Sequence, residues 1–249
     1  MLAGLDEIPW TRLEHAYGRA GDTPRLLRQV GGDDKEARGK AFEELWSSLC
    51  HQGTVYEATA SAVPFLAALA RKAPMPEEQR RELVALLGSI AAGRGYLWAH
   101  REFIRTDRGW TEADEEASKR ELRVVEAARQ AVAREFPGLV EALGGVDRRM
   151  DWSLAFAASQ VPEVASSALS LVSRLSESVT EPHLAAALAL TSELATREDP
   201  AAAVERAMGS LDGDDLVEAE AERGSVPERW PRLVAELLFE RGFEEQDVR

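Results

Sequence analysis

A chain of 249 residues with 45% hydrophobic side chains has enough apolar surface to bury a substantial core, which argues against disorder. Aromatics make up only 6% while Ala, Leu, Glu and Arg dominate, so helices packed through small side chains are expected and sheets are not. The formal charge of -14 is concentrated late in the chain: residues 51–150 hold 15 acidic and 15 basic side chains, residues 151–249 hold 20 and 8. Such a surface repels phosphate backbones and attracts basic proteins, so nucleic acid is not an expected partner and a basic protein is.

In chain order, residues 1–10 lack the basic and then apolar pattern of a secretion signal. Thr11 to Glu14 has the form of a capping box and predicts a helix start. Asp22-Thr23-Pro24 predicts another, because a proline in the first helical turn forfeits no hydrogen bond. The apolar stripe Ala41, Leu45, Leu49 follows a short turn containing Asp33 and Asp34, and Cys50 is expected to be buried at the end of that second helix. As the single cysteine it has no intramolecular disulfide partner, and a reducing cytoplasm fits.

Next comes His51-Gln52-Gly53-Thr54-Val55-Tyr56-Glu57, which compresses an imidazole, an amide, a phenol and a carboxylate into an inter-helix loop. Two readings compete. Gly53 can end one helix while Thr54 and Glu57 box the next. Alternatively His51, Gln52, Tyr56 and Glu57 contact a partner or small ligand, since recognition tends to sit on loops held by rigid elements. Cys50 and His51 are adjacent, a poor arrangement for a nucleophile and its base.

Pro64 to Ala70 repeats, 40 residues on, the apolar spacing of Pro24 to Val30. Breaks are expected at Ala73-Pro74 and at Gly93-Arg94-Gly95. The interval 94–135 does not fit the repeat. It interleaves Tyr96, Trp98, His100, Phe103 and Trp110 with Arg94, Arg101, Arg105 and Arg108, a mixture suited to protein hot spots or to single-stranded nucleic acid. Tyr96, Trp98, His100, Arg101 and Trp110 are therefore candidate binding residues, with a gap-filling role for the tryptophans as the alternative. A helix follows from Thr111, capped by Asp114, with Glu112 and Glu115 at its start and Lys119, Arg120 and Arg123 later, in the order its dipole favours.

Pro137 to Leu143 is a third copy of the apolar spacing, followed by Gly144-Gly145, Asp147 and the pair Ala155, Ala158. Further boundaries are expected at Val161-Pro162, Asp199-Pro200 and Gly224-Ser225, and the stripe Trp230, Leu233, Leu237, Leu238 suits a closing helix. No stretch approaches the roughly 18 uninterrupted apolar residues of a membrane span. The four histidines, His15, His51, His100 and His183, lack metal-ligand spacing, and neither a phosphate-cradling glycine loop nor a nucleophile elbow is present, so no catalytic residue and no cofactor is assigned.

Paired helices recurring near 40 residues are the pattern of HEAT and armadillo arrays. Residues 22–195 resemble a HEAT-repeat protein, and Leu49 to Ala60 followed by Ala62-Val63-Pro64-Phe65-Leu66 resembles a bacterial HEAT-like family of unassigned activity. The resemblance implies an all-α, α-α superhelix over 1–249 as a single domain, about ten helices in four to five irregular units, with an insertion at 94–135 and a divergent end at 199–249. For function it implies only a scaffold that binds other macromolecules; together with the C-terminal acidity, a non-catalytic adaptor or inhibitor of a basic protein, of the immunity kind, is expected. Some HEAT-like folds are DNA glycosylases using a basic concave face, a carboxylate and stacking tryptophans. This chain has only Lys35, Lys40, Lys72 and Lys119 as lysines, so that enzyme, or another small-substrate hydrolase, is an alternative; a small-ligand sensory module is the other.

Overall fold

The computed structural model describes residues 2–196, 200–225 and 228–247. It is all-helical but for two short hairpins. Among the described residues there are thirteen α-helices and three 3-10 segments, more than the ten expected because the insertion and the C-terminal part break into short pieces. The chain divides into two compact units, residues 1–135 and 136–249, with the boundary inside one long helix.

In the N-terminal unit, helix α1 (Thr23–Val30) opens with Pro24 in its first turn and packs on α2 (Lys35–Leu49). The Asp34 carboxylate starts α2 by accepting from Glu36 N and Ala37 N at 2.9 and 3.1 Å, which satisfies two of the donors that a helix start leaves open. Ala41, Leu45 and Leu49 form the buried stripe of α2, and Cys50 is buried just beyond it. Helix α3 (Glu57–Lys72) packs on α4 (Glu77–Ala92), and both bury Leu and Ala on the facing side. Two short helices, α5 (Tyr96–Ala99) and α6 (Arg101–Asp107), lead to the 32-residue α7 (Glu112–Leu143). The expected Thr111 cap is present: Asp114 N donates to Thr111 Oγ1, and Thr111 N donates back to Asp114 Oδ2.

Three expectations are corrected. No helix starts at Thr11; residues 10–12 form a 3-10 turn and the chain then folds into a hairpin, β1 (Glu14–His15) against β2 (Gly18–Arg19). Gly18, at φ 112°, and Gly21 leave too few residues after Thr11 for a stable helix. Nor does Thr54 begin a helix. It lies in β4 (Thr54–Val55), paired with β3 (Cys50–His51) across Gln52 and Gly53, whose φ values of 49° and 77° are those of a tight hairpin turn. The helix begins three residues later, with Tyr56 N donating to Thr59 Oγ1.

The repeat also loses its phase. Pro24 opens a helix, whereas Pro64 lies inside α3 and Pro137 inside α7. The 40-residue echo therefore compares one helix start with two helix interiors. The Asp-bearing turn recurs at Asp147, which caps α8 (Arg148–Gln160) by accepting from Met150 N, but is missing between α3 and α4.

In the C-terminal unit, Pro162 begins a 3-10 segment that runs into α9 (Leu169–Ser176). Helix α10 (Pro182–Thr196) is the centre of packing, touching α8, α9, α11 (Pro200–Met208) and α13 (Trp230–Asp247). Its small residues let the neighbours approach while Leu184, Leu188 and Leu190 fill the space between. The α13 stripe Trp230, Leu233, Leu237 and Leu238 is buried, and Trp152, Phe156, Phe239 and Phe243 meet edge-on or tilted at 5.8–6.4 Å between α8 and α13. Helix α12 (Gly213–Ser225) includes Gly224 and Ser225, where a break was expected, and residues 226–227 and Asp199 lie outside the described residues. Among the described residues no helix is long and apolar enough to cross a membrane.

Candidate binding site

The β3–β4 hairpin organises the polar residues expected at the α2–α3 junction. The Thr54 hydroxyl donates to His51 O at 2.7 Å, so the Tyr56 phenol, 2.7 Å away, donates to Thr54 Oγ1. Tyr56 is half-buried, and burial pushes its phenol up despite the Thr54 bond, with Cys50, Tyr17 and Tyr96 adding to the rise. Cys50 and His51 are consecutive strand residues whose side chains point to opposite faces, which removes them as a nucleophile and base. Gln52 at the turn and Glu57 in the first turn of α3 are exposed.

The first hairpin supplies a residue that the sequence reading missed. Tyr17 OH hydrogen-bonds His51 Nδ1 at 3.3 Å, and their rings meet nearly edge-on with centroids 5.5 Å apart. Tyr17 N donates to His15 Nδ1, so the His15 proton sits on Nε2 and goes to Asp22 Oδ1 at 3.0 Å. The Tyr17-Gly18 pair beside a histidine was the available signal, a turn with a displayed ring.

The aromatic interval is tied to the second hairpin through backbone. Val55 N donates to Arg94 O at 3.1 Å and Arg94 N to Gly53 O at 2.8 Å, adding a short parallel bridge beside β4. Glu121 on α7 reaches under Gly95 and accepts from Leu97 N at 2.9 Å, which caps α5. Burial raises the Glu121 carboxyl above its ordinary range. Tyr96 and His100 stack at 4.2 Å, with His100 Nδ1 2.9 Å from Tyr96 O. The Arg101 guanidinium lies over Trp98 at 4.9 Å and over Trp110 at 5.7 Å, and Trp110 Nε1 donates to Glu115. Arg108 grips Asp114 with two bonds of 2.8 and 2.7 Å, fixing the turn that carries Trp110.

The candidate residues thus form two neighbouring groups, His51 with Tyr17 and Tyr56, and Tyr96 to Trp110, joined by the Arg94 backbone. Gln52 and Glu57 flank the first group in sequence and are exposed. Among the described residues no three His, Cys, Asp or Glu side chains converge as metal ligands. In comparison with known proteins, no family model, no curated protein and no solved structure matches the chain.

Proposed function

We propose that the chain is a non-catalytic protein-binding scaffold, a HEAT-like solenoid in which helix pairs carry a recognition surface, of the adaptor or inhibitor kind that includes immunity proteins. The observation carrying this reading is the display of large aromatics on a rigid support. Tyr17, Tyr96 and Phe103 are 65%, 52% and 69% exposed, and the hairpins and caps beneath the two tyrosines are held by backbone hydrogen bonds. Rings with few internal degrees of freedom, set among arginines, are what interface hot spots use. Residues 136–249 carry 22 acidic and 10 basic side chains, which favours a basic surface on the partner, and the single buried thiol suits a cytoplasmic setting.

The enzyme alternative needs a carboxyl raised by burial beside stacking aromatics. Glu121 has the raised carboxyl, but it is occupied in capping α5 at Leu97 N, so its position supports structure before chemistry.

The test is capture from the source cells on the immobilised full chain, compared with the triple variant Tyr17→Ala, Tyr96→Ala, Phe103→Ala, whose fold is checked by circular dichroism. A protein retained at low salt, eluted as salt compresses the Debye length to about 3 Å, and lost on the variant is the expected result. Retention of no protein, or equal retention by the variant, would overturn the proposal.

A further inference from the structure

Arg101 stands out among the charged groups of its segment. Arg108 is fully engaged by Asp114, and Arg94 and Arg105 have interactions of their own. For Arg101 no described carboxylate lies within ion-pair distance, and its Nε is shielded from solvent without a hydrogen-bond acceptor. What holds the guanidinium is a pair of indoles, Trp98 and Trp110. Contacts over ring faces stabilise the charge without using its N–H groups, and they hold the fork in place before any oxygen arrives. A buried N–H left in this condition costs stability unless an acceptor is brought to it.

We infer that Arg101, held by Trp98 and Trp110, receives a carboxylate side chain from an acidic, partly apolar segment of the protein partner. This deepens the protein-binding reading and rests on it. A carboxylate suits this group better than the neutral carbonyls that Arg38 and Arg80 use, because the guanidinium fork matches it in two parallel, charge-assisted bonds. It is a single carboxylate on a peptide because the attraction is local: residues 94–110 carry four arginines against Glu102 and Asp107, while the whole chain is at -14 and repels a polyanion. Tyr96, exposed and stacked on His100 in the same short segment, supplies apolar area for the flanking residues of the peptide. Local acidity at this point is compatible with a partner that is basic elsewhere, since complementarity is set patch by patch.

The test uses the full chain and a capped acidic probe, acetyl-Glu-Leu-Glu-Leu-amide, titrated by calorimetry and by the NMR signal of the Arg101 Nε–H group. The same peptide with Gln for Glu, inorganic phosphate, and a short thymidine oligonucleotide form the other arms. Expected results are saturable binding of the acidic peptide with a shift of the Arg101 signal, and about tenfold or greater weakening for the Gln peptide and for Arg101→Lys, which keeps the charge but loses the fork and the stacking. Trp98→Phe should fall between, because its smaller ring is a poorer cation partner. Equal binding of the two peptides, wild-type affinity in Arg101→Lys, or preference for phosphate or the oligonucleotide would overturn the inference. A retained protein that depends on the exposed tyrosines but is indifferent to Arg101→Lys would end this inference alone. Peptide binding through Arg101 with no protein retained would support the carboxylate site and end the scaffold reading.

Discussion

Replacing Gly93 with alanine should destabilise the N-terminal unit by about 1–3 kcal/mol, the usual cost of forcing atoms into a filled interior. A Cβ at this position lies 2.5 Å from Val55 Cγ1, 3.2 Å from Val55 Cγ2 and 2.9 Å from Ile90 O, where carbon atoms prefer about 3.5–4.0 Å. Neither neighbour yields easily. Val55 is buried on β4, and β4 is bonded to Arg94, the residue next to the substitution, through Val55 N and Gly53 O. Relief therefore requires breaking a bridge bond or moving the end of α4. In a unit of 135 residues, 1 kcal/mol corresponds to roughly 4 °C in Tm, so thermal unfolding should shift down by about 4–12 °C. The cause is tested by a double-mutant cycle with Val55→Ala, which removes both clashing methyls and by itself costs about 1–3 kcal/mol. If the clash is responsible, Gly93→Ala should cost at least about 0.5 kcal/mol less in the Val55→Ala background than in the wild type. Additive losses would refute the claim that Val55 is what demands a glycine.

In the C-terminal unit, Arg229 is buried between Glu222 at 3.1 Å and Glu236 at 3.4 Å, so Arg229→Met should cost about 3–5 kcal/mol at neutral pH by removing the cation that both carboxylates face in the interior. Urea unfolding should show that loss, and a change of only a few tenths of a kcal/mol, as at an exposed position, would refute it. A pH dependence belongs to Asp114, whose carboxyl is held well below the usual range, first by the Arg108 bond and then by Thr111. Because the folded value is depressed, its contribution is complete above the unfolded value of about 3.9 and is lost as the pH falls below it. Tm measured from pH 7 downward should therefore show the gap between wild type and Asp114→Asn closing only under acid conditions, and a gap already closed at pH 5 would contradict the assignment.

How far the sequence revealed the fold depended on whether one local signal had one meaning. Asp34 and Asp147 each cap the helix that follows an Asp-bearing turn, and the Thr111–Asp114 box is reciprocal. Thr11–Glu14 and Thr54–Glu57 carry an equally good box, yet both lie where a two-residue turn competes with the helix. Gln52 adopts φ 49°, a conformation that its side chain gives no reason to expect and that the hairpin and its bridge to Arg94 impose. Proline was similarly ambiguous: at Pro24 it marks a start, but at Pro64 and Pro137 the burial of the surrounding Leu and Ala residues carries the helix through it. At the site, the residue types of 96–110 were legible as a recognition mixture. The bond from Tyr17 to His51, separated by 34 residues, was not, since nothing local links the two hairpins.

Those hairpins bear on how the proposals can be tested. Had α2 and α3 been joined by an ordinary helical turn, the aromatics after α4 would have to be positioned by side-chain packing, and trimming them would disturb the fold. Instead the Arg94 backbone is fastened to Gly53 and Val55, and α5 is capped from α7 by Glu121. The exposed rings of Tyr17 and Tyr96 sit on that frame without being part of it, and each contributes little buried area to the core. Losing them should leave the unit folded to within a few tenths of a kcal/mol, as for most exposed positions. A loss of partner retention in their alanine variants then reports on recognition, whereas a similar loss caused by Gly93→Ala would report on the frame that presents them.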